Sequence, residues 1–487
     1  MKRSGDLGAE GLHRGLGVWS VVLMVLAGAA PLASVGAVLP MVVRVSQNPV
    51  LPMFFIGATM ILALFAIGFT RMTRFVGDAG AFYSYIQTGL GRIPGVGAAA
   101  LAISSYFLLL VSISCYLGAV TATTVAHLGG PGSPWLLWTA LWLVLTGVLG
   151  YRDIELSSKV LAFMLVAECV VVVVVDVALI AAGEHLGGNA RLAMFDPTAL
   201  SRGVPSLGLM FAFLCFIGFE TTAVFRSEAL TPERTLPRAT YIAVIGIGLF
   251  YAISAWALTV GVGADNLVAA ATDDPANLVV GLAKTHVGPA MQDTMQLLLL
   301  PSLFACTLTF HNVSTRYVFT MGTRGLLPRA VGVVHAKHRS PARASLAITT
   351  VTAVAALLIA AARMDPVTKI YPWLSGTATL GVVVLMSLTS LAVVIFFWTQ
   401  PGTGESTLVS TRIVPVIALF CLAGLAWIVV SNFVLLIGDV TASRALLAGI
   451  VATFIAGMIV AGILRTRRPH AYRALTQPIP EVSGGVV

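Results

Sequence analysis

One carboxylate, Glu220, interrupts the apolar run Phe211, Ala212, Phe213, Leu214, Cys215, Phe216, Ile217, Gly218, Phe219. At membrane depth such a group is costly unless it faces a protein interior or a wet cavity. Gly218 beside it weakens a helix, so backbone carbonyls can turn toward a bound molecule. Basic residues follow at Arg226, Arg234 and Arg238. A weakened helix, a buried acid and a basic exit together suit a transport site at the bilayer midplane. Glu220 is then either a proton switch or a permanent hydrogen-bond partner of a neighbouring helix; the first reading is favoured. Glu168 and Asp176 are a second acidic pair, eight residues apart and so on roughly one side of a helix. They serve coupling or pair structurally with Thr or Asn on span eight. His311 and Asn312 read more naturally as an interhelical hydrogen bond than as a proton relay.

The elements that must position these groups are membrane helices. Of 487 residues, 58% are hydrophobic and only 10% charged, with a mean hydropathy of +0.94. Soluble domains carry roughly 25% charged residues, so most of this surface meets lipid. About twelve stretches approach the ~20 apolar residues that span a bilayer. The net charge of +9 lies in short loops, which is topology information and not a nucleic-acid face. Cys115, Cys169, Cys215, Cys306 and Cys421 all fall in apolar stretches. None has metal-ligand spacing, and they read as small core- or lipid-facing residues without disulfides. Nothing calls for a cofactor, and no cluster suited to a membrane-embedded enzyme is present.

Residues 1–17 form a polar tail. The apolar run that follows contains Ala27, Gly28 and Ala29, which look like a signal-peptide cleavage site. The run continues past them, so it reads as span one, interrupted around Pro31 between Gly28 and Gly36. Spans two to five follow as far as residue 182, with an interfacial helix at 81–89 after span two. Spans six to ten occupy 183–398, spans eleven and twelve 399–464, and a second polar tail 465–487. With the N-terminus inside, only Arg44, Arg191, Arg202, Lys284, Arg363, Lys369 and Arg444 of the 29 Lys and Arg face out. That asymmetry places both termini in the cytoplasm of a multi-pass cell-membrane protein. Spans one to five overlay on spans six to ten in hydropathy. Each set opens with a glycine-interrupted helix and has an overlong third member. Five is odd, so the second set enters the membrane inverted, and the site is expected where the broken spans one and six meet. The expected fold is all-α, 5+5 inverted helices with two peripheral ones.

Several stretches resemble the amino acid–polyamine–organocation permeases. Phe216, Ile217, Gly218, Phe219, Glu220 followed by Ser227, Glu228, Ala229, Leu230, Thr231, Pro232, Glu233 is similar to that family's sixth helix and the loop after it. Gly77, Asp78, Ala79, Gly80, Ala81, Phe82, Tyr83, Ser84, Tyr85 is similar to the segment after its second helix. Arg316, Tyr317 with Arg324, Gly325, Leu326, Leu327, Pro328 is similar to the end of its eighth. The resemblance implies carriage of amino acids, amines or related organocations, coupled to protons or run by exchange. It also implies rocking of helices one, two, six and seven against three, four, eight and nine. Where the family often carries a Gly-Ser/Ala-Gly turn in its first helix, this chain has Gly28, Ala29, Ala30, Pro31, Leu32, Ala33, Ser34, so the site's shape differs.

A zwitterion needs both ends recognised. Amides at a broken helix N-terminus, among Ala29, Ala30, Leu32, Ala33 and Ser34, would meet a carboxylate. Carbonyls around Cys215, Phe216, Ile217 and Gly218 would meet an ammonium. Phe213 and Ser105 would form walls. Glu220 and Glu168 would serve coupling, and Glu228 with Arg324 an inner gate. A channel or a transporter-like nutrient sensor remains the alternative to a carrier. Uptake with counterflow separates them.

Overall fold

The computed structural model describes residues 17–76, 81–152, 158–183, 195–220, 222, 231–335, 340–400 and 408–475. Among the described residues every regular element is helical, as the apolar composition requires, since helices satisfy their backbone internally in lipid. Among the described residues, ten helices are long and apolar enough to cross a membrane.

The first span is two pieces, α1 (Val18–Ala29) and α2 (Pro31–Ser46). They are joined at Ala30, whose φ of 44° is left-handed. Pro31 opens α2, where its missing N–H is no loss. Next come α3 (Leu51–Met72), α4 (Ala81–Leu90), α5 (Arg92–His127), α6 (Trp135–Arg152) and α7 (Ser158–Ala182). The sixth span begins as α8 (Pro205–Leu214) and leaves helical geometry there; residues 223–230 of the expected span lie outside the described residues. The loop after α9 (Pro232–Val262) is built of two short helices, α10 (Ala264–Asp273) and α11 (Leu278–His286). The chain ends with α12 (Pro289–Thr323), α13 (Ala342–Ala361), α14 (Tyr371–Thr399), α15 (Val414–Ser431), α16 (Phe433–Ile437), α17 (Val440–Arg467) and α18 (Pro469–Ala474).

Centre and rim differ sharply. In α5 and α14 the most apolar stretch is 72% buried, in α17 only 11%. The α17 helix touches the rest mainly along α5, where Gly97 and Gly457 let two backbones approach. A Cβ on Gly457 would come within 2.7 Å of the Val96 carbonyl, as small residues at membrane helix contacts allow. The α4 helix, expected at the membrane interface, packs one face into the bundle. Phe82, Tyr85 and Ile86 are fully buried. The Tyr85 ring stacks on Phe69 at 4.3 Å, and its hydroxyl lies 2.7 Å from that of Thr73. Its apolar side chains occupy consecutive turns of one face, which seats this helix against the bundle. At the end of α2, Asn48 donates to the carbonyls of Ala199 (3.0 Å) and Arg202 (2.8 Å), and the Val204 amide donates to Ser46 (2.7 Å). These bonds tie the end of α2 to the segment that leads into α8.

Candidate substrate site

At the first break, α1 leaves the Ala29 carbonyl without its helical partner. Tyr251 of α9 donates to it at 3.0 Å and Ser34 of α2 at 2.9 Å. On the other side of the break the Leu32 amide donates to Glu168 Oε2 at 3.2 Å, and Ser302 of α12 donates to the same oxygen at 2.8 Å. Glu168 thus caps the N-terminus of α2 from α7, a placement that the helix dipole favours for a carboxylate.

At the second break the ladder tightens. Cys215, Phe216 and Ile217 donate to the carbonyls three residues back, Ala212, Phe213 and Leu214, at 3.0–3.2 Å. The chain then turns at Gly218, where φ is +116°; glycine adopts this backbone without the steric penalty of a Cβ. The Gly218 amide donates to Glu220 Oε2 at 2.9 Å, and the Tyr106 hydroxyl of α5 donates to Oε1. Glu220 is fully buried.

The two breaks face one cavity. Gly28, Ala29, Ala30, Ala33, Ser34 and Val38 line it from the first span, and Leu214, Cys215 and Ile217 from the second. Ile113 of α5, Leu303, Cys306 and Phe310 of α12, and Tyr371 and Ser375 of α14 complete it. None of these fifteen side chains carries a charge. Two interrupted helices meeting over a small neutral cavity is the arrangement expected of a midplane carrier site. Residues 16–464 match the family described as amino acid permease. The chain belongs to the amino acid permease family. It is a multi-pass membrane transport protein of the amino acid–polyamine–organocation group, not an enzyme.

Relatives of this permease point the same way. It is 24% identical to a branched-chain amino acid permease of Bacillus subtilis, over 88% of this chain and 92% of that protein. To the branched-chain amino acid permease of Lactococcus lactis it is 22% identical, over 58% of this chain and 62% of that one. An uncharacterized transporter of Mycobacterium tuberculosis is 29% identical over 59% of this chain and 61% of its own length. In the last two alignments the permease spans less than two thirds of its relative.

Of the expected site residues, Ala29, Ala30, Ala33, Ser34, Cys215 and Ile217 line the cavity. Leu32 does not; its amide is held by Glu168. Ser105 turns its hydroxyl to the Leu101 carbonyl (2.8 Å) and packs on Gly381 of α14. Phe213 is buried among apolar residues, and Phe216 packs edge-on against Tyr251 at 6.4 Å. Gly218 lies beyond the cavity, in contact with Glu220. Arg324 donates to the Leu475 carbonyl (2.7 Å) and lies 5.6 Å over the Tyr83 ring; its expected partner Glu228 lies outside the described residues. His311 faces Thr349 of α13 at 3.0 Å, the interhelical bond that its position suggested. Asp176 accepts from Ser254 at 2.6 Å, so its partner sits on α9 and not on span eight. Ile113, Leu303, Cys306, Phe310, Tyr371 and Ser375 were missed. They are ordinary residues of long apolar helices, and no local signal marks them.

Proposed function

We propose that the protein is a secondary active transporter for neutral amino acids with aliphatic side chains. The observation that carries this is the uncharged cavity between two helix breaks. A substrate there meets helix termini at its charged ends and Val38, Ile113, Leu303 and Phe310 along its side chain. A cationic or acidic side chain would be buried without a counter-charge, which is strongly unfavourable. The names of the Bacillus and Lactococcus relatives support an aliphatic substrate.

In this reading α1 with α2, and α8 with the chain beyond Gly218, are the broken members of two inverted halves, residues 18–182 and 183–398, with α15 to α17 peripheral. Both termini face the cytoplasm, and the protein sits in the cell membrane. Alternating access rocks the broken helices and their neighbours against α5, α6, α12 and α13. Each break carries one carboxylate, Glu168 at the first and Glu220 at the second. Protons that bind these groups change what holds the break, which couples proton uptake to movement.

The test is uptake of labelled L-leucine by proteoliposomes of purified protein. Saturable uptake with counterflow, inhibited by isoleucine and valine and not by arginine or glutamate, is expected. Non-saturating flux without counterflow would make it a channel, and binding without flux a sensor.

A further inference from the structure

Toward the inner face, α12 changes character. Its Thr307 and Thr309 return their hydroxyls to the carbonyls of Leu303 and Ala305, at 2.9 Å each. Buried Ser and Thr of α5 and α14 do the same, among them Ser114 and Thr389. At Ser314 this stops. The hydroxyls of Ser314, Thr315 and Tyr317 are buried and have no hydrogen-bond partner among the described residues, and Ser84 on α4 is in the same condition. Back-bonding was open to Ser314, and its hydroxyl is turned elsewhere.

Phe310, Ser314 and Tyr317 share a face of α12. Phe310 lines the cavity and stacks on Tyr106 at 6.2 Å. The Tyr317 ring is 5.7 Å from Tyr106 and 5.9 Å from Tyr83. Tyr106 donates to Glu220. Arg324, two turns further along, holds the inner end over Tyr83. From Phe310 to Arg324 the face runs about 21 Å, from the cavity floor past Glu220 to the inner end of the bundle.

A buried hydroxyl without a partner destabilises the fold, a penalty that Phe and Ala at these positions would avoid. Clustered buried hydroxyls of this kind are the groups that ordered water satisfies. We propose that Tyr317 and Ser314 line a hydrated route that carries the proton of Glu220 to the inner face. The inference rests on the transport reading with Glu220 as a coupling carboxyl. The proton passes from the Glu220 carboxyl to a water, and the O–H electron pair stays on the carboxylate. Each hydroxyl along the route accepts one proton and releases another, and the last water gives it to the inner solution. The carboxylate left behind keeps the Tyr106 hydroxyl and the Gly218 amide as donors. Among the described residues Tyr106 and Tyr83 lie against Tyr317, with Arg316 beside it on α12 and Arg324 just past the end of that helix. The helices packed on α12 bring Arg44, Arg152, Arg343 and Asp176, and Glu168 at the first break. His311 is turned to Thr349.

The experiment compares wild type, Tyr317→Phe and Ser314→Ala in proteoliposomes loaded with a pH-sensitive dye, with L-leucine as substrate. Leucine counterflow, which needs no net proton movement, should stay within about twofold of wild type in both variants, and melting temperatures should not fall. Leucine-driven proton movement should fall about tenfold in Tyr317→Phe and about threefold in Ser314→Ala. Wild-type proton movement per leucine in both variants would overturn the route, and so would a wild-type protein that moves leucine without protons. Absence of leucine counterflow in the wild type would instead bring down the transport reading itself.

Discussion

The two helix breaks face the same cavity and are held in opposite ways. At the first, every capping group but one comes from another helix: Glu168 from α7 and Tyr251 from α9, with Ser34 the local exception. Its left-handed residue is an alanine, Ala30, which carries a steric penalty of about 1–2 kcal/mol. The second break is held largely by its own chain, through three-residue turns, Gly218 at positive φ and Glu220 two residues on. Tyr106 of α5 ties it to another helix. The geometry of the first break therefore depends on how α7 and α9 sit against it, and that of the second largely on its own residues.

Breaking the first set of ties should have the largest effect. Glu168→Ala leaves the Leu32 amide and the Ser302 hydroxyl without an acceptor, at about 2–4 kcal/mol of stability. Leucine uptake should fall at least about fiftyfold and the melting temperature should drop, as thermal unfolding and flux assays would register. Glu168→Gln keeps an acceptor for both donors and should recover most of the stability, so a variant as unstable as Glu168→Ala would contradict the capping role. At the second break Glu220→Gln keeps an acceptor for Gly218. Its expected consequence is a flattened pH profile, with gradient-driven uptake down about tenfold and leucine affinity within about threefold of wild type. An unchanged pH profile would remove Glu220 from coupling.

Smaller changes sharpen the contrast. Tyr251→Phe removes one of two donors from the Ala29 carbonyl, worth about 1 kcal/mol, and should raise the leucine KM about fivefold in initial-rate measurements. The smallest effect is expected for Phe216→Leu, which alters packing on Tyr251 beside the second break without touching the cavity. Stability should fall by less than about 1.5 kcal/mol, with KM unaltered; a shifted KM would mean that Phe216 reaches the substrate.

What a reader of the chain could see follows the same division. Gly218 and Glu220 announce the second break because glycine and a carboxylate are anomalies inside an apolar run. At the first break Pro31 was a true marker, but Gly28 lies within α1 and Gly36 within α2, and the residue that turns is Ala30. Six of the eleven expected substrate-binding residues line the cavity, because they belong to the breaks themselves. Phe213 and Phe216 pack elsewhere, because an aromatic on a buried helix packs equally well toward a neighbour or a cavity, and only helix rotation distinguishes the two.

From the amino acids alone came the membrane habit, the long apolar helices, the places where two of them fail and the acid beside the second. Those follow from short-range causes, namely hydropathy, missing donors and the backbone freedom of glycine. Tertiary packing decided that Glu168 caps α2, that Tyr251 holds the Ala29 carbonyl and that Ile113, Phe310 and Tyr371 close the cavity. Each of these joins residues far apart in the chain, and burial makes every face of a central helix apolar, so periodicity carries no record of which neighbour it meets.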